Sequence, residues 1–565
     1  MADQANQIVP PEALALQRLY HWEKTTPDKV VFTQPMGGGV VRDFTWSQAM
    51  DEARRVAAYL QSLGLEPGAR VAILSKNCAY WLISDFAIWL AGYVSVPLYP
   101  TLAPGTIRQI LEHSGSKVLF VGKLDGWETM KPGVPDGTTC ISYPLSPPND
   151  YTKWGDILAS TAPLQGEPLR PGNELSTIMY TSGTTGAPKG VMHNFETFAW
   201  SIRSGLKRIP VGPDDRMLSY LPLAHVAERM LVEHSLLVTG MHVYFAEALD
   251  TFTADLQRAR PTVFFSVPRL WVKFRQGVSA KVPPQKLARL LKIPILGRIV
   301  RKKILAALGL DQCKFAAGGA APMPPDLLRW YADLGLPIIE AYGMTENCGL
   351  SHATVPGVQR PGTVGLPYDG VESRIDPESG EIQMRSPGVM LGYYLEPELS
   401  RQAFTDDGWL HTGDKGQLEP DGYLKITGRV KDLFKTAGGK YVAPAPIEDR
   451  LVMHASVEAC VVTGADLRRP LGIVMLTAES AAQLNDEQLR QQIETSLADH
   501  LRAINEQLDP HEQLELVVAV SEPWTVDNGI VTPTLKVKRD RIEAVYGPHY
   551  ETWTSSGKEV VWHQD

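Results

Sequence analysis

Over the first few hundred residues the apolar positions alternate between two periods. From Thr45 to Leu63 (TWSQAMDEARRVAAYLQSL), Ala49, Met50, Ala53, Val56, Ala57 and Leu60 recur at helical spacing. Thr45 and Gln48 have the spacing of a capping box, and Gly64 stands where a helix ends on a left-handed glycine. RVAILS (70–75) and KVLFVG (117–122) are short apolar runs that predict buried strands, and IRQILEH (107–113) predicts a helix. The most apolar window, 79–99, is broken by Ser84, Asp85, Gly92 and Pro97, so it predicts a buried helix running into a core strand, not a membrane span. Such β-α-β alternation predicts doubly wound parallel sheets covered by helices. After about residue 355, short pieces such as EIQMRS (381–386) and GYLKITGRV (422–430) are separated by Gly, Pro and Asp, which predicts an antiparallel subdomain. A smaller unit follows from Lys431. The expected architecture is α/β: a large N-terminal domain (1–430) of doubly wound sheets plus a β-rich subdomain, and a small mobile α+β C-terminal domain (431–565).

A chain of 565 residues exceeds one ordinary core, in keeping with this division. Its 44% hydrophobic and 21% charged content is that of a soluble globular protein, and a net charge of -8 argues against nucleic acid as a partner. The five cysteines are scattered and odd in number, with no C-x-x-C spacing, which excludes a disulfide scaffold or Cys-based zinc site and fits a reducing compartment. MADQANQIVPPE has no signal-peptide pattern, so a cytoplasmic setting is expected. Against the acidic balance, residues 269–310 carry eleven Lys and Arg and no acid before Asp311. This stretch is either a solvated helix face or a peripheral membrane contact at the inner face, docking on anionic lipid.

The sharpest chemical signal is Tyr180-Thr-Ser-Gly-Thr-Thr-Gly-Ala-Pro-Lys-Gly190. Small and hydroxylated residues let backbone N–H groups and hydroxyls close on phosphate oxygens, and Lys189 adds a mobile positive charge. LSTIM (175–179) before it reads as a strand, placing the loop at a strand end, where open α/β sheets bind ligands. A Walker A loop is excluded, because Gly186 is followed by Ala187 and no hydroxyl residue follows Lys189.

At this loop the chain resembles the adenylate-forming superfamily of acyl-CoA synthetases, adenylation domains and luciferases, most like bacterial long-chain fatty acid–CoA ligases. Further segments match in the family's order: 219–229 (SYLPLAHVAER), 261–269 (PTVFFSVPR), 317–322 (AGGAAP), 340–346 (EAYGMTE), 408–414 (GWLHTGD), 428–432 (GRVKD) and 528–538 (NGIVTPTLKVK). The resemblance implies an ATP-dependent ligase that makes an acyl-adenylate, releases pyrophosphate and passes the acyl group to coenzyme A. It places Thr181, Ser182, Gly183, Thr184, Thr185, Gly186 and Lys189 on the phosphates. Gly319, Ala320, Ala321, Tyr342 and Gly343 would lie at the adenine, Asp414 at the ribose hydroxyls, and Arg429 at ribose or phosphate. Thr345 would bond the α-phosphate, Glu346 would ligate Mg2+ with Thr184 close by, and Lys536 would bridge carboxylate and α-phosphate. Lys538 points to the same side of an extended segment, and register alone favours Lys536. Lys431 occupies the hinge position, and Gly438, Gly439 and Lys440 the loop beside the pantetheine arm. His225 sits among Leu221, Leu223, Ala224 and Val226, where the acyl pocket is expected, and the absence of an acid from 219 to 227 favours an apolar fatty acid over an amino acid. A ligase that stops at the adenylate or loads a carrier protein, and a nucleotide-binding protein without catalysis, are the alternatives.

Overall fold

A computed structural model describes residues 8–182, 188–358, 360–526, 528–532 and 536–563. The largest sheet has eight strands. Six of them, Leu175–Ser182, Val94–Leu98, Arg70–Leu74, Val118–Val121, Thr139–Ser142 and Thr152–Lys153, run parallel in that spatial order. Pro188–Asn194 and Gly392–Tyr393 extend it antiparallel beyond Leu175–Ser182. A second sheet sets Val263–Ser266, Phe315–Gly319 and Ile338–Tyr342 in parallel and closes with two short antiparallel strands.

The helices form where the patterns require. Trp46–Ser62 starts in a complete capping box, with Thr45 accepting from the Gln48 N–H and the Gln48 side chain accepting from the Thr45 N–H. Ala79–Leu90 is apolar on nearly every face and is buried along its whole length, as a helix without a polar face must be. The helix Pro104–Ser114 ends on Gly115 at φ 65°.

The chain then builds an antiparallel sheet from Glu372–Ile375, Glu381–Arg385, Leu410–Leu418 and Leu424–Arg429. A further four-stranded sheet follows: Val457–Thr463, Leu471–Leu476, Val517–Val520 and Val560–Trp562. Glu487–Asn505 covers one of its faces through Ile493, Leu497 and Leu501, and Arg539–Tyr546 covers the other through Ile542 and Tyr546. Among the described residues no helix is long and apolar enough to cross a membrane.

One polar cluster lies inside the large core. Arg229, Asp85 and Glu233 are fully buried and ion-paired, the Arg229–Glu233 contact being 2.9 Å. Arg229 also donates to Thr177 Oγ1 at 2.7 Å, on the strand Leu175–Ser182. Burial and the nearby Asp85 charge push the Glu233 pKa well up. Removing the cation leaves two acids unpaired in apolar surroundings, which typically costs about 3–5 kcal/mol. Arg229→Leu is therefore expected to destabilise the large domain by about that much in denaturant unfolding; an unchanged midpoint would show that the cluster is not needed.

Candidate active site

The strands on either side of residues 183–187 pair antiparallel. Leu175–Ser182 returns as Pro188–Asn194, with Thr181 opposite Lys189 and Tyr180 opposite Gly190. Thr181 is half-buried and Ser182 ends its strand; Gly183, Thr184, Thr185 and Gly186 lie outside the described residues. The Lys189 ammonium stands 5.5 Å over the Tyr393 ring centroid. The Tyr393 hydroxyl donates to Glu346 Oε1 at 2.9 Å. One tyrosine thus connects the lysine of the hairpin with the acid of the 345–347 turn.

That turn is tight for steric reasons. A Cβ on Gly343 would fall 2.2 Å from the Gly349 carbonyl carbon, so only glycine lets the two strands of the turn meet. His193, on the returning strand, is fully buried, and burial lowers its pKa to about 4. As a neutral ring it donates from Nε2 to the Thr345 carbonyl at 2.7 Å, with Cys348 Sγ 3.4 Å from Nδ1. The hairpin and the turn are locked together through this imidazole.

Beside them lies an open bed of small residues. A Cβ on Gly319 would meet the Ala341 carbonyl oxygen at 2.7 Å and the Phe265 ring at 3.2 Å. Ala320 sits at φ 67°, rare for a residue with a side chain, and Ala320 and Ala321 are exposed. Across the bed, the Tyr342 hydroxyl donates to Asp414 Oδ2 at 2.7 Å, and Arg429 Nε lies 3.2 Å from Asp414 Oδ1. Asp414 and Arg429 are direct partners in the antiparallel register, which fixes this pair through backbone alone. Glu340, two residues before Tyr342, is buried, and desolvation raises its pKa to about 8.

The small domain closes this site with Lys536. Lys536 stands exposed at the cleft, within the field of Arg429, Asp414 and Glu346; desolvation lowers its pKa, Arg429 lowers it further, and the two acids oppose the shift. His225 is close enough to feel that charge, and burial together with Lys536 holds its pKa at about 4. His225 caps the short helix Val226–Glu228, its Nδ1 accepting from the Ala227 N–H at 3.2 Å. Lys538 instead heads the helix Arg539–Tyr546. Two cations of the large domain, Arg269 and Lys273, pair with Glu458 of the small one.

Around Lys431 the chain changes hands. The Val430 N–H bonds the Gly413 carbonyl at 2.9 Å, within the large domain. Asp432 pairs with Arg539 at 3.3 Å, and Arg539 also grips Glu448 at 2.6 Å. The Asp432 N–H reaches back only to the Arg429 carbonyl, at 3.3 Å. Gly438, Gly439 and Lys440 form the exposed turn of the hairpin Phe434–Lys435 and Tyr441–Val442, whose bonds run to 464–467 of the small domain and not to the site. Of the groups picked out in the sequence, the turn, the bed, Asp414, Arg429, His225, Lys189 and Lys536 converge; the glycine turn does not.

Tyr393, His193 and Glu340 were not singled out by sequence. A Gly-Tyr-Tyr run and a lone histidine carry no pattern, although Glu340 lies inside a matching motif. The donor chemistry fits a hard cation: Glu346 offers one carboxylate, and among the described residues no cluster of three His, Cys, Asp or Glu exists to form an all-protein cage. That is the setting in which Mg2+ keeps water and substrate phosphates as its main ligands.

A cleft with these parts on a doubly wound scaffold fits an adenylate-forming acid–thiol ligase. The AMP-binding enzyme family matches residues 19–394 and the AMP-binding enzyme C-terminal domain matches 431–549, so the chain belongs to the AMP-binding enzymes. It is 31% identical to the long-chain-fatty-acid–CoA ligase FadD15 of Mycobacterium tuberculosis, over 94% of this chain and 96% of that protein. It is 29% identical to the peroxisomal long chain acyl-CoA synthetase 7 of Arabidopsis thaliana, over 93% and 84%. In fold it is similar to the A domain of a carboxylic acid reductase from Segniliparus rugosus solved with AMP, at TM-score 0.79 and 22% identity over 96% of this chain and 94% of that one. It is likewise similar to the anthranilate CoA ligase AuaEII solved with anthranoyl-AMP, at TM-score 0.76 and 23% identity over 95% and 98%.

Gly343→Ala is expected to break the 343–349 turn, because the new methyl overlaps backbone that cannot swing away. Isothermal titration should show ATP binding lost or at least about tenfold weaker, with the fold retained by circular dichroism; wild-type affinity would contradict the turn's role.

Proposed function

We propose that the protein is an ATP-dependent long-chain fatty acid–CoA ligase working through an acyl-adenylate. The observation that carries this reading is the meeting of Tyr342, Asp414 and Arg429 with the Lys189–Tyr393–Glu346 series, within the field of the Lys536 ammonium. In the first half-reaction a carboxylate oxygen of the acid attacks the α-phosphorus of ATP, and the bond to pyrophosphate breaks. Both reactants are anions, so the barrier is mainly one of charge and alignment. Lys536 places a positive charge between carboxylate and α-phosphate, and the Thr345 hydroxyl and Arg429 hold the phosphate. Thr181, Ser182, Gly183, Thr184, Thr185, Gly186 and Lys189 hold the outer phosphates. Asp414 takes the ribose hydroxyls, and Tyr342, Gly343, Gly319, Ala320 and Ala321 take adenine. Glu346, with Thr184 close by, would hold Mg2+, which neutralises the departing pyrophosphate.

In the second half-reaction the coenzyme A sulfur attacks the acyl carbonyl, and the bond to AMP breaks. Rotation about Lys431 withdraws Lys536 and brings Gly438, Gly439 and Lys440 toward the pantetheine arm. The exposed glycine turn and the change of partners at Lys431 support this reading. His225 is kept neutral and lines the acyl side of the cleft.

A fatty acid is favoured because the acid next to the 219–227 segment is already engaged and is not free to hold an amino group. Glu228, the first acid after the 219–227 segment, is fully buried and accepts from Ser219 at 2.9 Å, the Tyr220 N–H at 2.9 Å and Asn77 at 3.1 Å. The long-chain ligases among its relatives support the same substrate class. Five free thiols support a cytoplasmic setting.

A pyrophosphate-release screen over carboxylic acids, with coenzyme A or acyl carrier protein as acceptor, tests the proposal. Release should need Mg2+, be fastest with long-chain acids, and yield acyl-CoA. Lys536→Ala should lower it about 10²- to 10³-fold. An unchanged rate in that variant, or transfer to carrier protein alone, would overturn the assignment.

Two further outcomes follow. Because desolvation and Arg429 lower the Lys536 pKa from 10.5, activity should fall on the alkaline side below that value as the ammonium loses its proton. Arg429→Gln removes a repelling neighbour, so the alkaline limb should move to higher pH. Tyr393→Phe keeps the ring under Lys189 and removes the bond to Glu346; KM for ATP should rise several-fold with little change in Tm.

A further inference from the structure

The segment 268–307 forms three consecutive helices, Pro268–Lys281, Pro284–Leu291 and Pro294–Ala307. They begin directly after Val263–Ser266, the strand whose Phe265 ring lies under Gly319 of the nucleotide bed, so they start at the edge of the active site. The last two pack into a helical hairpin. A Cβ on Gly297 would meet the Leu291 carbonyl oxygen at 2.6 Å, and Arg301 donates to the Leu291 and Asp333 carbonyls, which ties the hairpin to the body.

What the hairpin shows to solvent is unusual for a soluble surface. Ile293, Ile295, Leu296 and Ile299 are 49%, 79%, 38% and 47% exposed, and all four lie at the tip and the first turns of the last helix. Ile295 and Ile299 are four residues apart and share one helix face. Around them stand the exposed cations Lys286, Arg289, Lys292, Arg298, Lys302 and Lys303. Among the described residues none of these six is in an ion pair, in a chain whose net charge is -8. Protruding aliphatic side chains ringed by unpaired cations match the two layers of an acidic membrane surface, acyl boundary below and phosphate headgroups above. A protein partner fits less well, because lysine is depleted at protein interfaces and a convex tip offers no groove to fill.

We propose that the hairpin 284–307 is a docking surface for anionic phospholipid bilayers, with Ile293, Ile295, Leu296 and Ile299 entering the acyl boundary and the surrounding cations resting on lipid phosphates. This goes beyond the ligase reading. It places the mouth of an enzyme for lipid acids at the surface that stores them.

Cosedimentation with vesicles, without ATP or acid, tests the surface whether or not the ligase reading holds. The full chain should bind phosphatidylcholine vesicles containing about one-third phosphatidylglycerol, and added salt should weaken binding. It should ignore pure phosphatidylcholine. Ile295→Ser/Ile299→Ser and Lys292→Glu/Lys302→Glu/Lys303→Glu should each weaken binding at least about tenfold, with circular dichroism and Tm unchanged. Ile295→Trp supplies a second readout, a blue shift of its emission on anionic vesicles alone. No vesicle binding at low salt, equal binding by the charge-reversed variant, no blue shift, or capture of an acidic carrier protein in place of vesicles would each overturn the proposal.

Discussion

A cation from the C-terminal unit, set in the field of charges on the large domain, is the interaction on which the site depends. Lys536 belongs to one folding unit and its acidic neighbours, Asp414 and Glu346, to another. Partial desolvation disfavours a cation, and those two carboxylates offset this while Arg429 works against them. The balance leaves a charge that is present but not locked into a short ion pair. Such a charge is free to answer the developing charge of a phosphoryl transition state.

The rest of the large domain keeps the receiving side still. The Arg229 cluster holds the strand before the phosphate hairpin, and His193 ties the strand after it to the Thr345 carbonyl. Tyr393 then sets the Glu346 carboxylate relative to Lys189. Buried polar groups that satisfy one another are rigid as well as expensive to break. The hairpin strand and the 345–347 turn therefore share one frame although His193 and Thr345 lie 152 positions apart in sequence.

Much of this was legible in the sequence, for identifiable reasons. The Thr45–Gln48 cap, the Gly64 stop and the buried 79–90 helix follow from local spacing alone, and the structure has all three. The antiparallel return of the chain after Leu175–Ser182 was not legible, because Pro188–Asn194 pairs in the interior of a sheet assembled from distant strands. Between Lys536 and Lys538 the sequence offers register alone; in three dimensions Lys536 feels the charges of Asp414 and Glu346, and Lys538 heads the helix Arg539–Tyr546. Tyr393 and His193 act through contacts with residues 47 and 152 positions away, which no periodicity encodes. The eleven cations of 269–310 could be counted in advance, but not that Arg269 and Lys273 would turn to the small domain and the later ones to solvent.

The bonds on either side of Lys431 carry a kinetic meaning. With Val430 tied to one body and Asp432 braced by Arg539 to the other, the tether between them is a single residue. So short a leash leaves the small domain little volume to explore, and the local concentration of the lysine at the nucleotide stays far above what free diffusion would supply. In the proposed cycle the same leash would admit one visitor at a time, the lysine for the first attack or the glycine turn for the second.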